Sequence, residues 1–189
     1  MEIISERLRL RTVKNEDLEN IHYLLMCPET ALFNPSGHPN GIVDTAEMVK
    51  TWSEQEKESA DRKNYTFYIE TIAGAEFVGL IDISIVKVKY RNSEVWFKLV
   101  PEMWNKGYAT EALKRIIEFG FRQLNLHRIE AGCAVENIAS YKIMEKAGMI
   151  REAHRRKILP LKDGWCDNYE YAILDQDYLD RGILKNDKD

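Results

Sequence analysis

The stretch "WNKGYATEAL", residues 104–113, places one glycine between a run of strand formers and an amphipathic helical pattern. The first turn of a helix carries unpaired N–H groups and the positive end of the macrodipole, and a tight turn before it can aim further amides the same way. A strand, a turn at Gly107 and a helix start therefore make an anion cradle, with a phosphate group as its natural occupant. Gly107 permits positive φ or close backbone approach, Ala109 keeps the helix entrance small, and Lys106 adds a charge. Taken alone, a glycine before a helix is more often only a tight turn.

Other chemistries find no support. The chain has no G-x-x-x-x-G-K-[ST], no G-x-G-x-x-G and no G-x-S-x-G, which argues against a P-loop enzyme, a dinucleotide-dependent dehydrogenase and an α/β-hydrolase. His22, His38, His127 and His154 show no ligand spacing, so no metal is expected. Cys27, Cys133 and Cys166 are odd in number and far apart, as free thiols in a reducing cytoplasm would be.

The elements that must position the cradle read as mixed α/β. "RLRLRTV" alternates as a strand, and "KNEDLENIHYLL" continues as a helix with Asn15 as candidate N-cap. Asp44 and Glu47 have capping-box spacing ahead of a second helix whose buried face is Met48, Val49 and Trp52. "YTFYIET", "FVGLIDISIV" and "EVWFKLV" follow as an antiparallel meander with turns at 73–76 and 89–93. Ala109, Ala112, Leu113, Ile116, Ile117, Gly120 and Leu124 then form the stripe of a helix reaching about Gln123. A strand at "HRIEAGCAV", a helix from Ser140 and strands near "REAHRRKIL" and "NYEYAIL" complete about seven strands and four helices. With 189 residues, 44% hydrophobic and 31% charged, the chain suits one domain over 1–182 with a frayed tail at 183–189. A net charge of −4 disfavours nucleic acid, and the start has neither a signal-peptide pattern nor a membrane span.

At these residues the chain resembles the GNAT superfamily of acyl-CoA-dependent N-acyltransferases, in the branch typified by ribosomal-protein N-acetyltransferases. The superfamily loop Q/R-x-x-G-x-G/A is matched at Gly107 and Ala109, with Trp104 at its first position; the branch's "GKGYATEA" is matched by "NKGYATEA", with Asn105 for a glycine. "ENIASYKIMEKAGM" resembles the N-x-x-S…E-K-x-G-F block through Asn137, Ser140, Glu145, Lys146 and Gly148, and "ERLRLR" and "GWCDNYEYAIL" resemble the opening and closing strands. The resemblance covers almost the whole chain. It implies the GNAT fold, an α/β arrangement with a mixed, mostly antiparallel and partly splayed sheet. It also implies acetyl-CoA as co-substrate, with Trp104, Asn105, Lys106, Gly107, Tyr108 and Ala109 holding its pyrophosphate, Thr110 among the cofactor contacts, Asn137 at the mouth of the cleft and Ser140 near the sulfur end.

N-acetylation needs a base, because an amine acceptor is mostly protonated near neutral pH. On "SEVWFKLVP" a period of two puts Glu94, Trp96, Lys98 and Val100 on one face and Val95, Phe97 and Leu99 on the other. The resemblance implies Glu94 as base and Leu99 and Val100 as pantetheine contacts; the strand pattern alone equally fits Glu94 as an exposed or ion-paired residue. The superfamily's usual tyrosine acid is Met144 here, so Ser140 is the acid or orienting candidate, with helix capping as its other use. Tyr141 is expected to pack. Cys133 has no histidine at readable spacing to activate it, which favours direct transfer over an acyl-cysteine. The expected acceptor groove joins "ETALFNPSGHPNG" to "RRKILPLKDGW", with Glu29, Asp163 and Asp167 as acidic candidates. The branch favours a protein N-terminal amine; polyamines, amino sugars and a non-catalytic acyl-CoA sensor stay open. A cytoplasmic monomer or homodimer is expected, with no nucleic-acid or membrane partner.

Overall fold

The computed structural model describes residues 1–35, 37–55, 62–162 and 164–180. In chain order the elements are β1 (Glu2–Ile4), β2 (Leu8–Thr12), α1 (Leu18–Met26), α2 (Pro28–Ala31), α3 (Ile42–Glu54), β3 (Asn64–Thr71), β4 (Phe77–Lys87), β5 (Asn92–Leu99), α4 (Tyr108–Arg122), β6 (Arg128–Ala134), α5 (Ile138–Ala147), β7 (Ile150–Leu161), β8 (Gly164–Leu174) and α6 (Asp175–Asp180). One sheet runs in the order β1-β2-β3-β4-β5-β6-β8-β7. Every neighbouring pair is antiparallel except β5 with β6.

Strand alternation sends side chains to two cores. On one face Phe67, Ile69, Ile81, Ile83, Val95 and Leu99 meet the stripe of α4, where Leu113, Ile116 and Ile117 are buried. Each such side chain stabilises the fold by roughly 1.5–3 kcal/mol. On the other face Tyr68, Leu80 and Val100 pack against Ile21, Leu24 and Leu25 of α1 and Val49 of α3. The expected α3 face is shifted: Thr45 and Val49 are buried, Trp52 is half-buried and Met48 is exposed.

Three helix starts differ from expectation. Asn15 begins a 3₁₀ turn, Asn15–Asp17, and it is Asp17 that reaches back to the Lys14 amide at 2.8 Å while both its oxygens accept from Arg11. That buried pairing holds the Arg11 guanidinium above its ordinary value, the Asp17 hydrogen bond being the main cause. Asp44 lies inside α3, whose N-cap is Gly41, and its carboxylate accepts from the backbone and side chain of Asn40. Helix α5 starts at Ile138, capped by Asn137, whose Oδ1 accepts the Ser140 amide at 3.1 Å. Strand β1 is the eighth strand, too short to show a period, and α2 and α6 are one-turn additions to the four expected helices. The expected tail at 183–189 lies outside the described residues.

The sheet parts at its centre. β5 and β6 pair at Asn92 with Arg128, Ser93 with Ile129 and Glu94 with Glu130, and no further. Beyond that point β5 stays with β4 through Leu99, whereas β6 follows β8 through Ala134. Gly79 lets β4 lie close under the parted end of β5: a Cβ there would stand 2.2 Å from the Lys98 carbonyl oxygen, at φ +156°. Gly79→Ala is therefore expected to destabilise the protein by about 2 kcal/mol or more, read as a lower urea midpoint.

Candidate active site

Between the parted strands lies a cleft of about 1230 Å³, walled by β5, the head of α4, the end of β6, α5 and the α1–α3 segment. At one end is the expected cradle. Gly107 caps α4 at φ +81°, ψ −1°, and Asn105 also takes the left-handed region at φ +58°, a conformation asparagine tolerates better than most residues. The amides of Tyr108, Ala109 and Thr110 open the helix without intrahelical acceptors, and Trp104, Asn105, Gly107, Tyr108, Ala109 and Thr110 all line the cleft. These are the features an anionic diphosphate requires. Lys106 stands exposed at the rim and does not line it. Trp104, in place of the superfamily's polar residue, donates its indole N–H to the Leu99 carbonyl at 2.8 Å and so ties the loop to β5.

The loop is held from outside by residues that spacing could not reveal. Arg7 donates from Nη1 to the Lys106 carbonyl at 3.0 Å, lies over the Tyr108 ring, and makes a 2.7 Å ion pair with Glu111. Glu111 Oε1 also accepts from the Arg7 amide at 2.7 Å and the Ser5 hydroxyl at 2.8 Å. Burial pulls the Glu111 carboxyl upward, but these donors outweigh it and leave it below its ordinary value.

Along β5, the Val100 N–H donates to the Val78 carbonyl and its carbonyl accepts from Met103, while its side chain packs with α1 and α3; Val100 is not on the cleft wall. By the alternation of an antiparallel ladder, the backbone groups of Phe97 and Leu99 point away from β4, toward the side β6 has left. Phe97 thus joins Leu99 as a wall residue, and the ladder direction, readable only once pairing is known, is the signal for it. Glu94 is exposed at the last β5–β6 pair, opposite Glu130, and does not line the cleft.

The opposite wall brings together Cys133, Asn137, Ser140 and Met144. Burial pushes the Cys133 thiol up to about 12, so it is not a thiolate near neutral pH. Ser140 is half-buried, and its hydroxyl has no hydrogen-bond partner among the described residues. Tyr141 turns away from the cleft onto Tyr169, ring centroids 5.8 Å apart. Lys142 and Lys146, exposed on α5, add positive charge to this wall.

The remaining chamber is formed by Leu25, Glu29, Thr30, Phe33, Met48 and Trp52 from the α1–α3 segment, facing Trp96 and Lys98 of β5. Trp52 and Trp96 approach at 6.2 Å between centroids. Burial pulls the Lys98 ammonium below its ordinary value. Of the expected groove, "ETALFNPSGHPNG" contributes, but no described residue of 155–165 lines the cleft. Asp163 lies outside the described residues, and Asp167 is occupied by His154 Nε2 at 2.7 Å and the Lys157 amide at 3.0 Å. Among the described residues no group of three or more His, Cys, Asp or Glu side chains could hold a metal, and no helix is long and apolar enough to cross a membrane.

A split sheet with an anion cradle at the head of its central helix is the arrangement of a coenzyme A-dependent acyltransferase. A family profile described as "Acetyltransferase (GNAT) domain" matches residues 7–150, and the chain belongs to that family. It is an acetyl-CoA-dependent N-acetyltransferase with a mixed α/β GNAT fold. Over 85 residues it is 47% identical to the uncharacterized N-acetyltransferase YnaD of Bacillus subtilis (strain 168), a match spanning 45% of this chain and 50% of that protein. A GNAT-family acetyltransferase of Bacillus anthracis superposes with TM-score 0.80 at 33% identity, over 93% of this chain and 99% of the other. The spermidine N-acetyltransferase of Vibrio cholerae, solved in complex with CoA and spermine, superposes with TM-score 0.80 at 24% identity over 93% and 99%.

Two outcomes are expected of the cradle. Gly107→Glu puts a side chain at φ +81° where a Cβ already stands 3.3 Å from Arg7 Nη2; acetyl-CoA affinity measured by calorimetry is lost while the thermal transition remains cooperative. Glu111→Gln weakens acetyl-CoA binding by about tenfold at neutral pH, the size of one charge-assisted hydrogen bond. The depressed carboxyl of Glu111 adds stability above its unfolded pKa, which is lost as pH falls through its lower folded value. The variant's stability should therefore lack that part of the acid-induced fall that sets in as pH drops below the ordinary glutamate value of about 4.3.

Proposed function

We propose that the chain moves the acetyl group of acetyl-CoA directly to a primary amine that enters from the α1–α3 side. The observation that carries this is the parting of β5 and β6 beyond Glu94, which connects the cradle at Gly107 to the chamber of Trp52 and Trp96 through one continuous cleft. Acetyl-CoA supplies an activated thioester. The first turn of α4 holds its pyrophosphate, Phe97 and Leu99 offer backbone groups to its pantetheine arm, and Asn137, Lys142 and Lys146 flank it from α5. The parted strands leave the thioester an insertion path where no backbone ladder competes.

The same geometry supports a role for each remaining group. Glu94, on the strand face of Trp96 and Lys98 and open to solvent at the apex, takes the proton from the amine through water. Ser140 Oγ, unengaged on the opposite wall, relays a proton to the departing thiolate and takes one back from solvent. Cys133, held as a thiol, favours direct attack over an acyl-cysteine. A protein N-terminal amine is one acceptor the open chamber admits, and a small-molecule amine is the other; the spermine bound by the Vibrio cholerae neighbour belongs to the second class.

Two variants test the reading. Glu94→Gln lowers kcat by about 100-fold, the ordinary contribution of a general base, with acetyl-CoA affinity unchanged; wild-type turnover would move the base role to another residue or to water. Cys133→Ala keeps its turnover and gives intersecting rather than parallel double-reciprocal plots; an acetyl group found on Cys133 in wild-type enzyme would overturn direct transfer.

A further inference from the structure

The arginines of this protein commonly pair with carboxylates, whereas its described lysines other than Lys98 are exposed to solvent. Arg7, Arg9, Arg11, Arg128 and Arg155 each engage at least one carboxylate. Lys98 is different. It is half-buried and lines the cleft, yet it has no ion pair or hydrogen bond among the described residues. Glu29 and Glu136, the carboxylates that line the cleft, do not pair with it, and Glu136 is engaged by the Cys166 thiol. Burial without a counter-charge is the whole cause of its lowered affinity for a proton.

Its side of the sheet decides what it can meet. Val95 and Leu99 face α4, whose first turn forms the anion cradle, whereas Lys98 shares its strand face with Trp96, which approaches Trp52 of α3. The Lys98 ammonium therefore belongs to the acceptor chamber rather than to the cofactor's phosphates. Around it the chamber is largely apolar and aromatic, through Leu25, Phe33, Met48, Trp52 and Trp96, with Glu29 and Thr30 as polar members.

We propose that Lys98 is a specificity-determining residue that receives an anionic group of the acceptor, and that the acceptor is a small primary amine carrying a carboxylate or phosphate beside an apolar body. A free amino acid with an apolar or aromatic side chain has this chemistry. An unpaired, partly desolvated ammonium gains most from a ligand that brings the missing charge. A polyamine brings the wrong one, since a like charge set against Lys98 is repelled, and Glu29 is the one carboxylate that the described residues of this chamber set against it. The proposal rests on the acetyl-transfer reading above and narrows its acceptor.

The test uses the whole protein and matched probes: L-phenylalanine against L-phenylalaninamide, L-leucine against L-leucinamide, glucosamine 6-phosphate against glucosamine, and spermidine. CoA release gives kcat and KM for each, and calorimetry on enzyme saturated with CoA gives acceptor binding without turnover. Binding to the CoA-saturated enzyme is thus read whether or not acetyl moves, and absent CoA release with every amine would count against acetyl transfer alone. The anionic member of at least one pair is expected to bind about tenfold or more tightly than its neutral partner and than spermidine. The amino acid and sugar-phosphate pairs separate carboxylate from phosphate. Lys98→Met should erase the discrimination through KM while acetyl-CoA affinity stays as in wild type, which also shows the cleft to be folded, and Lys98→Arg should restore part of it. Equal or tighter binding of the neutral partners or of spermidine overturns the proposal. So does discrimination that survives Lys98→Met, or an acetyl adduct on Lys98 itself detected by mass spectrometry.

Discussion

A β-strand cannot leave its neighbour without stranding backbone groups, and this structure is organised around one such departure. β6 remains paired with β8 from Arg128 to Ala134, so it follows that ladder, while β5 keeps to β4 as far as Leu99. After three parallel pairs the two ladders separate. The polar groups of Phe97 and Leu99 on the vacated side then need partners from elsewhere. The Leu99 carbonyl finds one in the Trp104 indole, which in turn sets where the loop to α4 begins. The backbone groups left over are a template for an extended, amide-containing chain such as a pantetheine arm.

The two faces of the parted strand divide the work. Val95 and Leu99 join the core under α4 and fix that helix against the sheet, so the cradle at its head is rigidly mounted. Trp96 and Lys98 look the other way, toward α1 and α3, where the contacts are fewer and the walls more exposed. One strand thus presents a side fixed against α4 and another that faces the α1–α3 segment. Segments around α2 can change without disturbing the packing of α4.

What the sequence disclosed follows the range of each interaction. The stripe of α4, the alternation of β5 and the glycine at 107 are local patterns, and they gave the turn at Gly107, the helix after it and the two faces of the central strand. Helix starts were misjudged where a cap was chosen by residue type alone: Asn15 was expected to cap where Asp17 reaches back to the Lys14 amide, and Asp44 reaches back from inside the helix to Asn40. The state of Val100 depended on a ladder partner, Val78, that spacing cannot show. Arg7 and Glu111 meet across 104 residues, beyond any local signal. The late strand pair was expected at the cleft and lies away from it, because where β7 and β8 run depends on the course of β6.

That last long-range pair has a bearing on how the protein comes to be made. Arg7 lies in the turn between β1 and β2 and is synthesised well before Glu111 of α4, yet it is Arg7 that holds the carbonyl of Lys106 in the loop before that helix. Closing so large a loop is entropically slow, so such contacts form late in folding. A nascent or partly folded chain therefore has the α4 sequence before β1 and β2 have docked to brace its loop, and is expected to hold coenzyme less tightly until they do. Once they have, bound acetyl-CoA stabilises the completed fold by mass action, which couples the lifetime of the folded chain to the supply of the metabolite.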